Sequence, residues 1–277
     1  MGINIKKVDI QTLNNIVKDY QNGKSMRQIE KDYNVTRQSV AKYLEEQKIK
    51  TTKGNHHRIY NHNENFFEVI DTEEKAYWLG FMFADGYISN RQNGYGQDQF
   101  GLSLSQEDEE VLYKFKKSIE ATNPVLVYPR KDNCGQPLSR IQMVSQKTVD
   151  DLIDKGCVKQ KSLILKPPKK VPETLINHFI RGFFDGDGSI TKTYNKTYDK
   201  YIYGINITST LEMCEWLQGI FDFGSVVKEK RRENTYYFSF GGNNQIKYFY
   251  DFLYKNSTIW MDRKYNRFQE FLEISRK

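Results

Sequence analysis

Cysteine, proline and long apolar runs are all scarce in this chain. Its 277 residues include only three cysteines and six prolines. Cys134, Cys157 and Cys214 form no CxxC pair, which argues against a disulfide framework or a cysteine-rich zinc site and favours a reducing compartment. No apolar stretch has the length of a signal peptide or of a membrane span. We therefore expect a cytoplasmic protein without a membrane partner, located at the nucleoid or in a phage-infected cell.

Acidic residues are fewer than basic ones. The chain has 42 Lys and Arg against 35 Asp and Glu, a formal net charge of +7. This balance favours a polyanionic partner such as nucleic acid, although many basic proteins bind none. Aromatic residues make up 14% of the chain, enough for a packed core, and the length allows two or three compact units.

The first fifty residues predict three short helices. Apolar residues recur at helical spacing up to about Asn22, Ser25 can cap a second helix, and Thr36 can cap a third that ends near Gln47. Two short helices joined by a tight turn are typical of a helix-turn-helix, and the segment resembles that of site-specific invertases and resolvases. The alternative is a three-helix bundle without a ligand. The residues expected to face a DNA major groove are Arg37, Gln38, Ser39 and Lys42.

A polar, basic segment at 51–69 predicts a linker. It holds three of the four histidines, His56, His57 and His62, but no cysteine that could complete a zinc site. We interpret it as a solvated or phosphate-contacting linker rather than a metal site.

The rest of the chain repeats itself at a period of about one hundred residues. AYWLGFMFADGYIS at 76–89 corresponds to NHFIRGFFDGDGSI at 177–190, which aligns Asp85 with Asp187. GLSLSQ and GINITS begin 16 and 17 residues after these aspartates. Lys161 and Lys264 follow them by 76 and 77 residues. Such parallel spacing indicates one fold used twice, with a pseudo-twofold relation between the copies.

Each copy predicts the order helix, two strands, helix, two strands, helix. Phe100, Leu102 and Leu104 alternate with small polar residues, and the same pattern recurs at 201–207 and 236–240. Each sheet is expected to pack its aromatic face on helices and to present a polar face outward, so that two sheets form a concave platform. Candidate DNA contacts on the polar faces are Ser103, Gln142, Asn206 and Thr208.

The sequence therefore predicts an α/β (α+β) protein with a small all-α domain at its N-terminus. The proline-containing connector LKPPKKVP at 165–172 separates the copies. The predicted units are a helix-turn-helix domain at 1–50, the linker at 51–69, a first repeat at 70–166 and a second repeat at 173–277.

The repeated helix carries the candidate chemistry. Small residues four apart, Gly80 and Ala84 in one copy and Gly182 and Gly186 in the other, allow two helices to approach closely. Both helices end in Asp-Gly, and the glycines Gly86 and Gly188 suit left-handed caps.

The paired aspartates predict a metal site. Two carboxylates at adjoining helix C-termini repel each other and oppose the helix dipoles, a conflict that a divalent cation such as Mg²⁺ or Mn²⁺ removes. The candidate ligands are Asp85 and Asp187, with the adjacent Ala84 and Gly186 as further candidates. Such a cation can activate water and neutralise charge on a phosphodiester.

These motifs resemble those of the LAGLIDADG homing endonucleases over about residues 70–277. WLGFMFADG at 78–86 and IRGFFDGDG at 180–188 align with the nine-residue motif. The eighth position, where the family places its metal-binding acid, is Asp85 in one copy and Asp187 in the other.

The resemblance implies a monomer of pseudo-twofold symmetry that cuts double-stranded DNA at a long, near-asymmetric site during intron homing. It implies two αββαββα units that form a saddle, with the sheets in the major groove and cleavage across the minor groove leaving short 3′ overhangs. By the same analogy Lys161 and Lys264 lie near the solvent around each scissile phosphate, although plain phosphate contact is an alternative. Gln106 and Ser209 are candidates for orienting the attacking water.

Two other functions remain open on the same scaffold. A non-cutting DNA-binding regulator would tolerate the loss of the metal-binding acids, and this chain retains both. An intron RNA maturase is the third class, because members of the family also assist splicing. The sixth motif position departs from the family in one copy, where Phe83 replaces an often acidic residue and Asp185 remains in the other. That position is usually not a metal ligand.

Overall fold

The computed structural model describes residues 5, 8–22, 24–49, 60–89, 98–129 and 137–275. The chain divides into two compact units, Met1–Asn61 and His62–Lys277, which are described separately. The first nine residues of the predicted linker, with His56 and His57, lie outside the described residues, as does Cys134. Cys157 and Cys214 are buried free thiols. None of the described helices combines the length and apolar character that a membrane crossing requires.

The first unit contains the three predicted helices. They are α1 (Ile10–Gln21), α2 (Met26–Tyr33) and α3 (Arg37–Glu46). Ser25 forms a capping box with Gln28 at the start of α2, and the Thr36 side chain accepts from the Ser39 backbone N–H at the start of α3. Asn34 takes a left-handed conformation, with φ of 52°, in the turn between them. The buried side chains of this unit are Ile5, Ile16, Tyr20, Ile29, Val35, Val40 and Leu44.

The second unit contains two copies of one αββαββα arrangement, as predicted. The first copy comprises α4 (Glu73–Ala84), β1 (Gly86–Ser89), β2 (Gln99–Ser105), α5 (Glu109–Ser118), β3 (Leu126–Tyr128), β4 (Leu138–Val144) and α6 (Gln146–Asp154). The second comprises α7 (Ile176–Asp187), β5 (Gly188–Asn195), β6 (Lys200–Ser209), α8 (Leu211–Phe221), β7 (Ser225–Lys228), β8 (Tyr236–Gly241) and α9 (Asn243–Tyr254), followed by α10 (Asp262–Ser275). The antiparallel sheets have the orders β1-β2-β4-β3 and β5-β6-β8-β7.

Each sheet has one face covered by helices and one open face, as the alternation predicted. In β2, Phe100, Leu102 and Leu104 are buried, whereas Ser103 and Ser105 are partly exposed. The pattern was wrong at one position. Tyr201 is 47% exposed because it lies near the end of the β5–β6 hairpin, where its ring packs on the Lys192 ammonium group, 4.1 Å from the ring centre.

The predicted linker extends too far. Residues 62–69 belong to the second unit, where Phe66 and Phe67 are buried in the main core. The Thr148 hydroxyl donates to the Glu64 carbonyl at 3.2 Å, and the Asn63 N–H donates to the Ile119 carbonyl at 2.9 Å. Two adjacent phenylalanines in a polar segment were the signal that sequence reasoning passed over.

The two copies meet where α4 packs against α7. A Cβ at Gly80 would lie 2.0 Å from the Phe179 carbonyl oxygen, and a Cβ at Gly182 would lie 1.9 Å from the Tyr77 carbonyl oxygen. Any side chain at these positions would separate the helices, so the predicted close approach is confirmed. We call this α4–α7 contact the seam.

The glycines after the aspartates act differently from the prediction. Neither has a positive φ: Gly86 starts β1, and Gly188, with φ of −89° and ψ of 161°, starts β5. Left-handed caps were therefore the wrong explanation. A Cβ would lie 2.5 Å from the Met82 carbonyl oxygen at Gly86 and 2.1 Å from the Phe184 ring at Gly188, so crowding at the helix-to-strand bend selects glycine.

A buried ion pair also joins the two copies. Arg181 of α7 is fully buried and donates to the Glu73 carboxylate of α4 at 2.6 Å. The same guanidinium donates to the carbonyls of Ile259 and Leu253, and Glu73 accepts from the Thr258 N–H at 2.6 Å. Because a buried charge is tolerated only when its partners are in place, this network helps to set how the two helices align.

The seam gives a direct test of stability. Gly80→Ala should lower the free energy of unfolding by about 1–3 kcal/mol or more, because the new methyl group overlaps the backbone of α7. Gly219→Ala is the matched control: it lies inside α8 with nothing within 4 Å of its Cβ position. That change should be neutral or stabilising, by up to about 1 kcal/mol. Urea denaturation of both variants checks this, and equal stabilities would contradict the close contact.

Candidate active site

The two motif aspartates lie at the same end of the seam. Asp85 follows α4, its backbone N–H donating to the Phe81 carbonyl, and Asp187 is the last residue of α7. A Cβ at Gly186 would lie 2.2 Å from the Ala84 Cβ and 3.2 Å from Asp85 Oδ2. The Asp85 carboxylate therefore lies directly against the end of the opposite helix, as the motif spacing predicted.

Both carboxylates are in an unfavourable electrostatic setting. Burial raises the pKa of Asp187 to about 7, and the nearby negative charge of Asp85 adds to the rise. Burial also raises the pKa of Asp85, although Lys264 and Lys161 oppose the shift. Two half-buried acids side by side, both with raised pKa values, are typical of a functional site rather than a structural one.

Lys264 neutralises the C-terminus of α7. Its ammonium group is buried and donates to the carbonyls of Phe184 at 2.7 Å, Asp185 at 2.6 Å and Gly186 at 3.2 Å. Burial lowers its pKa to about 8, against the attraction of the surrounding aspartates. These contacts fall on carbonyls of the last turn of α7, of which that of Phe184 also accepts from the Gly188 N–H, and they place a cation at the negative end of the helix dipole.

Lys161 makes the equivalent contact in the first copy. It lies in a short 3₁₀ turn, and its ammonium group donates to the carbonyl of Gly86, the residue after Asp85. Lys161 and Lys264, which the matched spacing in the sequence predicted as a pair, therefore each lie at the end of one motif helix. The geometry differs from the expectation for Lys264, whose ammonium group is directed at backbone carbonyls rather than at solvent.

A cavity of about 190 Å³ opens beside Asp187. Lys161 and Ala84 of the first copy and Ser209 of the second line it, so residues from both copies contribute to one half of the site. Arg232, in the loop between β7 and β8, lines the same cavity. Of the predicted water-orienting residues, Ser209 lies in this cavity, whereas Gln106 is exposed at the start of a 3₁₀ turn.

A second cavity, formed by residues of the second copy, is lined by arginine. Arg263 and Arg267 border this cavity with Lys264 and Gly186. Arg263 forms a two-point ion pair with Asp108, with both N···O distances 3.0 Å. Sequence reasoning missed Arg232 and Arg263. The only signal for Arg263 was that it precedes the matched Lys264, and the only signal for Arg232 was its position in the β7–β8 loop.

Comparison with known proteins supports the assignment of the fold. Residues 180–275 match the family model described as LAGLIDADG endonuclease. The solved structure of the meganuclease I-SmaMI bound to uncleavable DNA has a TM-score of 0.51 and 15% identity over 72% of this chain and 87% of that one. I-AabMI bound to uncleaved DNA has a TM-score of 0.51 and 13% identity over 72% of this chain and 89% of that one.

A third structure gives the same result. The LAGLIDADG homing endonuclease I-LtrWI bound to target DNA has a TM-score of 0.51 and 14% identity over 76% of this chain and 90% of that one. No curated protein sequence matches the chain closely enough to name a relative. At these identities the structural likeness establishes the fold, and the family model covers the second repeat.

The resemblance to the LAGLIDADG family is confirmed. The sixth position of the second LAGLIDADG motif has a structural role. Asp185 is buried and accepts hydrogen bonds from the Tyr77 hydroxyl and the Met261 N–H, each at 2.8 Å. At the equivalent position of the first repeat, Phe83 packs edge-on against Phe179, with ring centres 5.0 Å apart. The acid missing from the first motif is therefore replaced by core packing.

The donor set at the LAGLIDADG motif ends suits a small, hard cation that retains water. Across the described residues, no group of three or more His, Cys, Asp and Glu side chains is arranged to hold a metal ion. The two aspartates would have to be supplemented by carbonyls, water or phosphate, which is the way Mg²⁺ is usually bound. The Gly186 carbonyl already accepts from Lys264 at 3.2 Å.

The predicted DNA contacts of the sheets lie on the open faces. Ser103 pairs with Arg140 across β2 and β4, and Asn206 pairs with Ser239 across β6 and β8. Gln142 is exposed, and its side chain accepts from the Tyr87 hydroxyl at 3.1 Å. In the first unit Arg37, Gln38 and Lys42 are exposed on α3, whereas Ser39 is partly buried against Thr36.

The raised pKa of Asp187 predicts a pH-dependent stability. Because the folded pKa of about 7 exceeds the ordinary aspartate pKa of 3.8, the folded state holds a proton that the unfolded chain has released, and stability falls as pH rises from about 4 to 7. Asp187→Asn should remove this fall in stability, because asparagine carries no titrating carboxyl group. With chelator present, its free energy of unfolding should exceed that of the wild type by about 1–4 kcal/mol at pH 7.5 and by much less at pH 4.5.

The control for this measurement is Glu215→Gln, at an exposed position of α8. Its stability should follow the wild-type pH profile. Denaturant titrations at several pH values provide the measurement. Parallel profiles for Asp187→Asn and the wild type would show that the carboxylate is not buried as described.

Proposed function

We propose that this protein is a site-specific endonuclease that hydrolyses phosphodiesters in both strands of duplex DNA with a divalent metal ion. The observation that carries the proposal is the pair of half-buried carboxylates, Asp85 and Asp187, held together at the end of the seam where β1 and β5 begin. Repulsion between the two carboxylates destabilises the folded protein, and a bound cation would relieve it.

Asp85 and Asp187 would hold Mg²⁺ or Mn²⁺, with the backbone of Ala84 and Gly186 beside them. When bound, the cation supplies Lewis-acid stabilisation of the charge that develops on the phosphate. The chain's own contribution is positional: the seam holds both carboxylates at the same end of the two packed helices. Each acid then faces one of the two scissile phosphates.

The two lysines would act mainly on the motif ends. Lys264 and Lys161 neutralise the helix C-termini and so allow both aspartates to remain charged when the metal binds. Lys161 also borders the open cavity beside Asp187, where its charge can favour an incoming phosphate. Ser209 lines the same cavity and would orient water there, and Gln106 is the weaker candidate in the first copy.

DNA recognition would be divided between the two units. The sheets of the repeats at 70–166 and 173–277 would read the major groove through Ser103, Gln142, Asn206 and Thr208. The unit at 1–50 would add a contact through the exposed side chains of α3, and the residues that follow it as far as 61 would connect it to the second unit. One chain contains two related but unequal copies. This is consistent with a monomeric protein that binds a duplex with a long, near-asymmetric site.

Substitution of either aspartate tests the cleavage. Asp85→Asn and Asp187→Asn should each lower Mg²⁺-dependent cutting of the target by at least about 10- to 100-fold, the loss that even outer residues of metal sites cause. Binding to the same duplex without metal should change little. Asp251→Asn, at an exposed ion pair with Lys247, is the matched control and should cut normally.

The readouts are a cleavage assay on DNA carrying the insertion locus of the gene and a gel-shift assay in chelator. Undiminished cutting by both variants would overturn the proposal. Tight binding by the wild type without nicking at any Mg²⁺ or Mn²⁺ concentration would instead favour a non-cutting regulator, and RNA-dependent splicing activity would favour a maturase.

The first unit can be tested in the full chain. Arg37→Ala combined with Lys42→Ala should weaken duplex binding by about tenfold and reduce the salt dependence of the affinity by about one to two units of log–log slope. Cutting of DNA that is already bound should be unchanged. Lys18→Ala, which removes an exposed charge from α1, is the control. Equal affinities for all three proteins would mean that α3 does not contact DNA.

A further inference from the structure

Arg140 stands alone on the open face of the first sheet. It is the only charged residue in strands β1 to β4, and its neighbours on that face are neutral. It alternates with the buried Ser139 and Ile141, which places its side chain on the side away from the helices. The positive charge of Arg140, in the middle of a neutral sheet face, is suited to binding a specific polar partner.

Two tyrosines hold the Arg140 side chain. The guanidinium carbon lies 5.3 Å from the ring centre of Tyr87 and 5.4 Å from that of Tyr128. Both contacts are within the range of cation–π interactions, and together they restrict the movement of a side chain that is otherwise long and flexible. Contacts with ring faces leave the terminal N–H donors in the guanidinium plane available for another partner.

Those donors lack a protein acceptor in the described part of the chain. Arg140 Nε is buried and has no hydrogen-bond partner among the described residues. None of the ion pairs formed by described residues includes Arg140. A rigid, planar donor group with unused capacity suits a ligand that offers two acceptors side by side.

The pairing of the strands places Arg140 close to the motif end. It pairs with Ser103, and the adjacent Leu102 pairs with Gly86, the residue that follows Asp85. Arg140 therefore occupies the inner part of the sheet rather than its rim. A side chain at the rim would meet phosphates, whereas one on the floor of a sheet that lies in the major groove meets base edges.

We infer that Arg140 reads a guanine in the inner part of the half-site bound by the first sheet. Guanine is the base whose major-groove edge presents two adjacent acceptors, O6 and N7, that match the guanidinium fork. This inference rests on the proposed function, because it requires duplex DNA on the open face. Tyr87 and Tyr128 act as positioning residues that hold the guanidinium in place.

The second sheet provides an internal contrast. The positions that correspond to Arg140 and Gln142 are Ser239 and Gly241, which pair with Asn206 and Gly204. Strands β5 to β8 contain no arginine. Arginine-to-guanine recognition is therefore expected in one half of the target and not at the mirrored position of the other half, which makes the two half-sites chemically unequal.

Selection from a duplex library with randomised positions tests the inference. We compare full-length wild type, Arg140→Gln and Arg140→Lys by sequencing the bound DNA in the absence of cleavage. The wild type should select G·C at one inner position of one half-site. Arg140→Gln should shift that position toward A·T, because a glutamine amide matches adenine, and Arg140→Lys should lose most of the preference. Replacing the guanine should weaken wild-type binding by about 10- to 100-fold and Arg140→Gln binding by far less.

Ser239→Gln is the matched control and should leave the guanine preference in the first half-site unchanged. Thermal unfolding of each variant, together with unchanged selection in the second half-site, shows that the fold is retained. Specific binding with an unaltered guanine preference in both Arg140 variants would overturn this inference alone. An equal loss of affinity for all sequences would also overturn it, since it would identify a phosphate contact. A wild type that binds duplex without any sequence preference would overturn the proposed function, and this inference with it.

Discussion

The close approach of α4 and α7 is the contact on which the rest of the second unit depends. Glycine at positions 80 and 182 lets each backbone lie against carbonyl groups of the other helix. This contact brings the two copies into one core and carries both motif aspartates to the same place. The unfavourable electrostatics of the site follow from the packing, because helices that touch along their length cannot keep their terminal carboxylates apart.

The surrounding residues lessen that cost without removing it. Lys264 and Lys161 bind the carbonyls next to the acids, and the Glu73–Arg181 pair holds the distant end of the seam. The pKa of Asp187 still rises to about 7, so the charged form remains disfavoured in the protein alone. Burial that raises the pKa of an acid while cations stabilise its surroundings is an arrangement suited to binding a metal ion.

Much of the fold could be predicted from local patterns. The caps at Ser25 and Thr36, the alternation in β2 and the matched spacing of the two aspartates each depend on neighbouring residues or on a simple repeat. Three expectations failed because they depend on how atoms pack in three dimensions. Gly86 and Gly188 are selected by crowding with the helices that precede them. Phe66 and Phe67 are buried in the core although the surrounding segment is polar. Tyr201 lies near the exposed end of a hairpin.

The sequence by itself determined the repeat, the sheet faces and the pairing of one aspartate per copy, since periodicity and spacing are written along the chain. Only the tertiary structure decided what each charged side chain contacts. Lys264 binds three carbonyls, Arg263 pairs with Asp108, and Arg140 lies between two tyrosines because strands and helices far apart in sequence converge there. Such contacts depend on three-dimensional packing, which a linear pattern does not specify.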